Sequence, residues 1–509
     1  MMDNTKYENR SALFKLLFDG GTLYDAFLME AAQQIGQSLL TIPWIFSLMG
    51  YAGAIITLLL FSVLAMWSNH LVISLLTQFR YEIDQQGDPR ASMPGYIASY
   101  GDVIGWFCGK KLSIFTHIVV ILSLLGTSVG QIIATASNLF LLQDPENYAI
   151  SKRTLTCIVG GIFSLIIFLP TAREFRFFSL LACVTTFYTA WYFTIYSAVS
   201  GPVEDVKYEH ASSINGFFLG LVNVIFNYGG ISATIEKADV MNQRNRYDYA
   251  YIFAGLYSYL SESMSVNNYS LLADVMLTHT FHFDVRYTVT LPNGITTYHS
   301  FGSLCYSAPN AFYLFPASPP RTVGIILMSL HELVAFGLFA GPLFHLTEKA
   351  FKVQNQPLFC GMRLVLRTVL CGIFLLISVM LPYFGKYSSS LHLHLHFRKH
   401  ILTEMILILS STGVINGFFA AFATTFGTYI IPTVCYNMAF ASYAAEDMQK
   451  PIPQAICSVL SMRVIRGINW FIAAAVFVFG VGFGGYSAIA SLIQDADTFS
   501  LFPECYECN

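Results

Sequence analysis

The sequence predicts an all-α, polytopic membrane protein in which two of the membrane-spanning helices are broken. The chain has 509 residues, of which 55% are hydrophobic and only 11% are charged, whereas soluble domains carry roughly 25% charged residues. Apolar segments close to the roughly 20 residues that a bilayer requires recur along the whole chain. Two of these segments contain glycines together with amide or carboxyl side chains, which are costly in lipid unless they are paired.

We expect eleven transmembrane helices. They are predicted at about residues 26–48, 52–78, 114–142, 154–170, 177–199, 214–239, 249–300, 321–347, 364–384, 412–441 and 464–493. The seventh consists of two apolar halves, 249–260 and 287–300, with a polar stretch between them. The predicted organisation is therefore a cytosolic tail (1–24), a transmembrane domain (25–493) and an extracellular tail (494–509).

The distribution of basic residues predicts the orientation of the chain. With a cytosolic N-terminus, most of the 27 Lys and Arg residues fall on the cytosolic side, as the positive-inside rule requires. An odd number of spans then places the C-terminus outside the cell. Cys505 and Cys508 would there form either a disulfide or two free thiols. The net charge of −3 does not suggest a nucleic-acid partner.

The first broken helix is predicted from residues 25–51. Gln33, Gln34, Gly36 and Gln37 lie together in the first half of this apolar segment. Side-chain amides at this depth indicate contact with a wet cavity or a bound solute rather than with lipid.

The second broken helix is predicted from residues 214–241. Gly229 and Gly230 loosen the backbone there, and Thr234, Glu236 and Asp239 follow. Two broken helices five spans apart predict an inverted repeat of five helices each, in which the half-helix ends meet and hold the solute. Close helix packing is the alternative role for these glycines, and we favour it for the glycines at 480–484 in the last span.

Glu236 is the predicted proton-coupling group, because a carboxyl group inside the membrane is disfavoured when it is charged. The alternative is a carboxylate that faces the cytosol and pairs with Lys237. His331 is either a second ionisable group of the site or a hydrogen-bonded core residue. Polar side chains on neighbouring spans could contact the solute or simply satisfy packing: Ser128, Gln131 and Tyr188.

Several stretches of the chain resemble the plant auxin influx carriers of the amino acid/auxin permease family. The matching stretches include DAFLMEAAQQIGQSLLTIPWIFSLMG, NYGGISATIE, ILMSLHELVAFGLFAGPLF and the C-terminal DADTFSLFPECYEC. The resemblance implies an eleven-helix, amino-acid-permease type of fold with a LeuT-like 5+5 inverted repeat. It also implies proton-coupled uptake of an indole carboxylic acid, indole-3-acetic acid, across the plasma membrane, without a cofactor.

Five positions depart from the family pattern. The family has asparagine at the position of Gln33 and histidine at that of Asp239. Tryptophan, lysine and proline are replaced by residues 242–244. Because an additional acid would repel a carboxylate, an alternative function is a proton-coupled permease for neutral or aromatic amino acids, with Asp239 holding the ammonium group. A further alternative is a carrier-derived membrane protein that does not transport. An enzyme is not expected, since no nucleophile–base set or phosphate loop is present.

Residues 260–287 and 386–412 are insertions relative to the family. The second contains His392, His394 and His396, which would share one face of an extended chain, but no defined scaffold supports a metal site and none is predicted. We interpret one or both insertions as unspliced intron sequence, because the first falls within a predicted span. Sequencing the mature transcript tests this hypothesis.

Overall fold

The computed structural model describes residues 23–93, 96–144, 149–168, 176–204, 206–208, 213–239, 241, 285–353, 361–380, 413–441, 448–449 and 460–496. Within these ranges the chain is helical and contains no β-strand, so the predicted all-α class is confirmed. Most of both tails, nearly all of the first insertion, the whole second insertion with its three histidines, residues 242–244 and the cysteines at 505 and 508 lie outside the described residues.

The helices are named here in chain order. They are α1 (Leu23–Ile35), α2 (Ser38–Gln85), α3 (Tyr100–Cys108), α4 (Lys110–Phe140), α5 (Lys152–Ser164), α6 (Arg176–Ser200), α7 (Ile214–Asn227), α8 (Thr234–Asp239), α9 (Val285–Phe301), α10 (Pro319–Ala350), α11 (Gly361–Met380), α12 (Gly413–Ala439), α13 (Met462–Val476) and α14 (Gly485–Ala496). A π-helical segment, Phe477–Gly484, joins α13 to α14.

In the described part of the chain, eight helical stretches are long and apolar enough to cross a membrane. The number is smaller than eleven because the second half of the first predicted span and the whole second span are joined without a loop, across a kink at Gly50, and together form α2. The fourth predicted span is a 13-residue helix followed by a 3₁₀ turn, Leu165–Phe168. The seventh is described only in its second half, as the 17 residues of α9.

Both predicted breaks are present. The first span is interrupted between Ile35, where α1 ends, and Ser38, where α2 begins. The sixth is interrupted by a 3₁₀ segment, Gly229–Ala233, between α7 and α8. Helix α1 packs against α6 and α10, and the 3₁₀ segment packs against α1, α4 and α12. The two breaks therefore lie side by side in the interior of the helical assembly, as the predicted fold requires.

The glycines at 480–484 serve packing, as expected. A Cβ at Gly484 would collide with Val222 of α7, and a Cβ at Gly480 would lie 3.1 Å from Thr425 of α12. Side chains at these positions would force the last span away from its neighbours.

Gly50 connects the first two spans without a loop, and it provides a test of the fold. Its φ of 71° and ψ of 171° interrupt α2, and a positive φ is unfavourable for residues with a Cβ. Gly50→Ala is expected to lower the free energy of unfolding by about 1–2 kcal/mol, measured by thermal unfolding of the purified protein in detergent. Gly372→Ala in α11 is the matched control, because a Cβ there meets nothing within 4 Å. Equal melting temperatures for the two variants would contradict this account.

Candidate functional site

The glutamines of the first break are buried, but they have different partners. Gln33 Nε2 donates to the backbone oxygen of Leu338 in α10 at 3.2 Å. Gln34 Nε2 donates to Glu30 Oε2 at 3.1 Å. Neither amide atom of Gln37 has a hydrogen-bond partner among the described residues, although the side chain is only 3% exposed. Since buried amides are normally paired, Gln37 is a clear candidate for contact with a solute.

His331 of α10 lies directly against this break. A Cβ at Gly36 would collide with His331 Nε2, so the glycine creates the space for the ring. His331 Nδ1 lies 2.6 Å from Thr186 Oγ1 and 3.1 Å from the backbone oxygen of Ala182. A carbonyl oxygen can only accept, which favours the neutral tautomer with its hydrogen on Nδ1. His331 Nε2, which has no partner in the described part of the chain, then presents an acceptor at the helix break.

The glycines of the second break allow close approach of neighbouring helices. A Cβ at Gly229 would lie 3.0 Å from Thr424 Cγ2 of α12. A Cβ at Gly230 would lie 3.7 Å from Gln33 Oε1 and 3.9 Å from Glu30 Oε2. The two breaks are thus in contact through Gly230. Thr234 begins α8, and its buried hydroxyl has no partner within the described ranges.

An ion pair that the sequence interpretation missed links the two breaks. Lys237 Nζ donates to both Glu30 Oε1 and Gln33 Oε1. The Lys237 and Glu30 side chains are 1% and 0% exposed. The alternative interpretation offered Lys237 as the partner of Glu236, whereas the described hydrogen bonds of its ammonium group go to Glu30 and Gln33. A signal was present in the sequence, since Glu30 precedes Gln33 and Gln34 by three and four residues and so shares their helix face.

Glu236 and Asp239 contact the segment that precedes and begins α3. The backbone nitrogen of Tyr100 donates to Glu236 Oε1 at 3.1 Å, and Glu236 Oε2 has no partner among the residues described. Asp239 accepts from Arg80 Nε at 2.7 Å, from Arg80 Nη2, and from the backbone nitrogen of Ala98 at 2.7 Å.

The sequence predicts that Asp239 contacts the solute. In the structure its carboxylate binds the Arg80 guanidinium, which compensates the negative charge. Neither the expected repulsion of an anion nor the expected pairing with an ammonium group follows from this geometry.

Asp102, in the first turn of α3, belongs to the same end of the molecule. Its carboxylate forms an ion pair with Lys349 at the end of α10. Burial by itself raises the pKa of Asp102, but Lys349 and the hydrogen bonds from Ser99 hold the pKa below its usual value. The segment is thus attached to α2, α8 and α10 by charged groups.

Ser128 and Gln131 of α4 lie near the first break, whereas Tyr188 lies elsewhere. Ser128 Oγ and Gln131 Oε1 are buried and have no partner within the described residues. Between them, a Cβ at Gly130 would lie 3.2 Å from Gln37 Oε1, so this part of α4 adjoins the first break. Tyr188 does not join these residues. Its hydroxyl donates to the backbone oxygen of Pro320 at 3.2 Å, at the start of α10.

A second buried carboxyl group, Glu332, follows His331 and was also missed. It accepts from Thr135 Oγ1 at 2.6 Å and from Asn138 Nδ2 at 3.0 Å, both on α4. Asn310 Nδ2 donates to Asn138 Oδ1 at 2.6 Å. The network joins the middle of α10 to the segment between α9 and α10.

A small cavity lies beside both breaks. Its lining residues come from α1, α2, α7 and α9, together with Tyr228, which precedes the 3₁₀ segment of the second break. They are Gln34, Ser38, Leu58, Asn227, Tyr228, Thr290 and Leu291. In the described part of the chain, no group of three or more His, Cys, Asp or Glu residues is arranged to hold a metal ion.

Comparisons with known proteins all identify membrane transporters as the similar proteins. Residues 19–264 match the family described as transmembrane amino acid transporter protein. The chain is 28% identical over 501 residues to auxin transporter-like protein 5 of Medicago truncatula, covering 98% of this chain and 88% of the relative. It is 27% identical over 510 residues to auxin transporter protein 1 of Arabidopsis thaliana, covering 99% and 91%.

Two solved structures resemble the fold at low sequence identity. The first is MhsT in complex with L-phenylalanine, with 13% identity and a TM-score of 0.49 over 94% of this chain and 99% of MhsT. The second is the nucleobase-cation-symport-1 family transporter Mhp1 with bromovinylhydantoin bound, with 12% identity and a TM-score of 0.44 over 96% of this chain and 95% of Mhp1.

The predicted resemblance is confirmed by the relatives, which match nearly the full length of the chain and are transporters rather than enzymes. The chain is therefore a multi-pass membrane transporter, similar to auxin transporters over nearly its full length and to the transmembrane amino acid transporter family over residues 19–264.

Proposed function

We propose that this protein is a proton-coupled secondary transporter that imports an indole carboxylic acid, indole-3-acetic acid, across the plasma membrane. The observation that carries the proposal is the set of buried polar atoms around the two breaks that have no partner among the described residues. An unpaired buried polar group costs about 1–3 kcal/mol, and a polar solute bound there would remove that cost. The printed names of the relatives supply the class of solute.

The unpaired groups suggest specific roles. His331 Nε2 accepts from the indole N–H, and the Gln37 amide donates to the solute. The indole ring packs on the apolar wall that Leu58, Tyr228 and Leu291 form beside Gln34. Further hydrogen bonds come from groups on α4 and α8: Ser128, Gln131 and Thr234.

Proton coupling supplies the driving force in this proposal. Moving one negative charge into a cell with a negative interior costs about 2.3 kcal/mol per 100 mV. Carrying two protons with each anion makes the loaded carrier net positive and reverses the sign of that term. Glu236 is the proposed proton acceptor, since one of its oxygens has no partner within the described ranges and the other meets the backbone nitrogen of Tyr100.

The test of the function is uptake of labelled indole-3-acetate into proteoliposomes under an inward proton gradient. We expect concentrative uptake that collapses with a protonophore. Glu236→Gln is expected to weaken the dependence of uptake on external pH, because the amide cannot take up the proton. Asp84→Asn makes the same carboxyl-to-amide change at an exposed position of α2 and should behave as wild type. Unchanged pH dependence in Glu236→Gln would remove the role assigned to Glu236.

The alternative functions are outcomes of the same assay. Effective competition by tryptophan, together with concentrative uptake of labelled tryptophan itself, would indicate an amino acid permease. The sequence had offered Asp239 as partner for an ammonium group, but Arg80 occupies that carboxylate. Absence of any uptake by correctly folded protein would indicate a carrier-derived protein without transport activity.

A further inference from the structure

The buried charges between the two breaks suggest how an acid solute is held. Lys237 lies where α1 and α8 meet, and both it and Glu30 are removed from solvent. Excluding two charges from water is costly, so a buried ion pair by itself contributes little net stability. An ion pair at a solute site therefore points to a role in binding.

The geometry places Glu30 in the position of an internal carboxylate ligand. Lys237 Nζ donates to Glu30 Oε1 and to Gln33 Oε1, and an ammonium group has three hydrogens to donate. The other oxygen of Glu30 accepts from Gln34 and faces the backbone at Gly230. The Glu30 carboxylate thus meets a cation, an amide and an interrupted helix, which are the groups that bind a carboxylate.

We propose that Lys237 is the counter-ion for the carboxylate of the transported acid, and that Glu30 occupies Lys237 until Glu30 is protonated. A proton on Glu30 releases the ammonium group, which then pairs with the incoming carboxylate. The site holds one positive and one negative charge before and after this exchange, so the proton and the anion enter together without a change in buried net charge. This proposal rests on the proposed function in taking an organic carboxylic acid as solute.

Other titratable groups surround the pair. They lie on α1, on α8 beside Lys237 and on two helices packed against α1: Asp25 on α1, Glu236 on α8, His331 and Glu332 on α10, and Cys183 on α6. Glu236 is adjacent to Lys237 in sequence but faces the Tyr100 backbone. Cys183 Sγ donates to the backbone oxygen of Leu28. The Glu30 carboxylate accepts a hydrogen bond directly from Lys237 Nζ.

The proposal fixes the direction of the pH effect. Because protonated Glu30 and the bound anion favour the same state, each strengthens the binding of the other. Wild-type protein should bind the anion more tightly in mildly acid than in neutral buffer. Glu30→Gln imitates the protonated acid, so its affinity for the anion should be high and equal in both buffers.

The experiment measures binding to the full-length protein in detergent, with labelled indole-3-acetate and the uncharged indole-3-acetamide. The informative variant is Lys237→Met combined with Glu30→Gln, which removes both charges of the buried Lys237–Glu30 pair. We expect it to bind indole-3-acetate more than about tenfold more weakly than Glu30→Gln does, as loss of a charged hydrogen bond predicts. Binding of indole-3-acetamide should remain close to wild type, which also shows that the site is folded.

The outcomes separate this proposal from the proposed function. If wild type binds indole-3-acetate and the double variant binds it equally well, Lys237 is not the counter-ion, although the proposed solute stands. If wild type binds benzoate or L-tryptophan instead, with the same dependence on Lys237, the counter-ion role stands and the proposed solute is wrong. If wild type binds none of these carboxylates, both fail.

Discussion

Replacing Arg80 by methionine is expected to destabilise the protein by about 3–5 kcal/mol. The Arg80 guanidinium binds both oxygens of Asp239, whose side chain has no exposure to solvent. Without the cation, an uncompensated carboxylate remains inside the helical assembly, where it also accepts from the Ala98 backbone. The change should appear as a large fall in melting temperature and in the yield of monodisperse protein.

Three further variants separate the ion pair from the loss of a side chain. Arg80→Met with Asp239→Asn should recover most of the stability, because the buried charge is removed. Arg80→Lys should be intermediate, since an ammonium group cannot reproduce the planar, two-point contact. Arg463→Met removes the same charge from an exposed position of α13 and should have little effect. If Arg80→Met had the same melting temperature as wild type, the assigned role of the Arg80–Asp239 pair would be wrong.

Gly36→Ala is expected to reduce uptake of the solute by about tenfold or more. The added methyl group collides with His331 Nε2, so the ring must leave the helix break or α1 must move away from α10. Either movement removes a hydrogen bond to the solute, and a loss of about 1.4 kcal/mol corresponds to tenfold in binding. Initial rates of uptake in proteoliposomes, normalised to folded protein, measure the effect.

A matched glycine and a second-site change provide controls for that prediction. Gly341→Ala places a methyl group in the interior of α10, where nothing lies within 4 Å, and uptake should be unchanged. Adding His331→Ala to Gly36→Ala should restore thermal stability by making room, but not uptake, because the acceptor nitrogen is lost. Recovery of uptake in that double variant would show that His331 does not contact the solute.

The helical organisation and the positions of both breaks could be predicted from composition and local pattern. Glycine beside glutamine at Gln33 and Gly36, and paired glycines at Gly229, are local features of the sequence that directly affect the backbone. The first and second spans were also located correctly, but their joining through Gly50 without a loop was not, since hydropathy cannot detect a single positive φ.

The partners of the charged residues could not be predicted, because they depend on contacts between distant parts of the chain. Arg80 and Asp239 are 159 positions apart, and Lys237 and Glu30 are 207 apart. The sequence of one helix shows that a charged residue lies within the membrane. Which helix supplies its partner depends on tertiary packing. For the same reason Tyr188, which was expected at the solute site, instead hydrogen-bonds at the start of α10.

The absence of a loop at Gly50 has a mechanical consequence. Helix α2 begins at the first break, beside Gln37, and continues through Gly50 to Arg80, whose guanidinium is fastened to α8 below the second break. A flexible linker would absorb a displacement at one end. Two helical segments that are joined only by Gly50 can instead transmit the displacement from one end of α2 to the other. Tilting the part of α2 that borders the first break would then also move Arg80 and change its contact with Asp239.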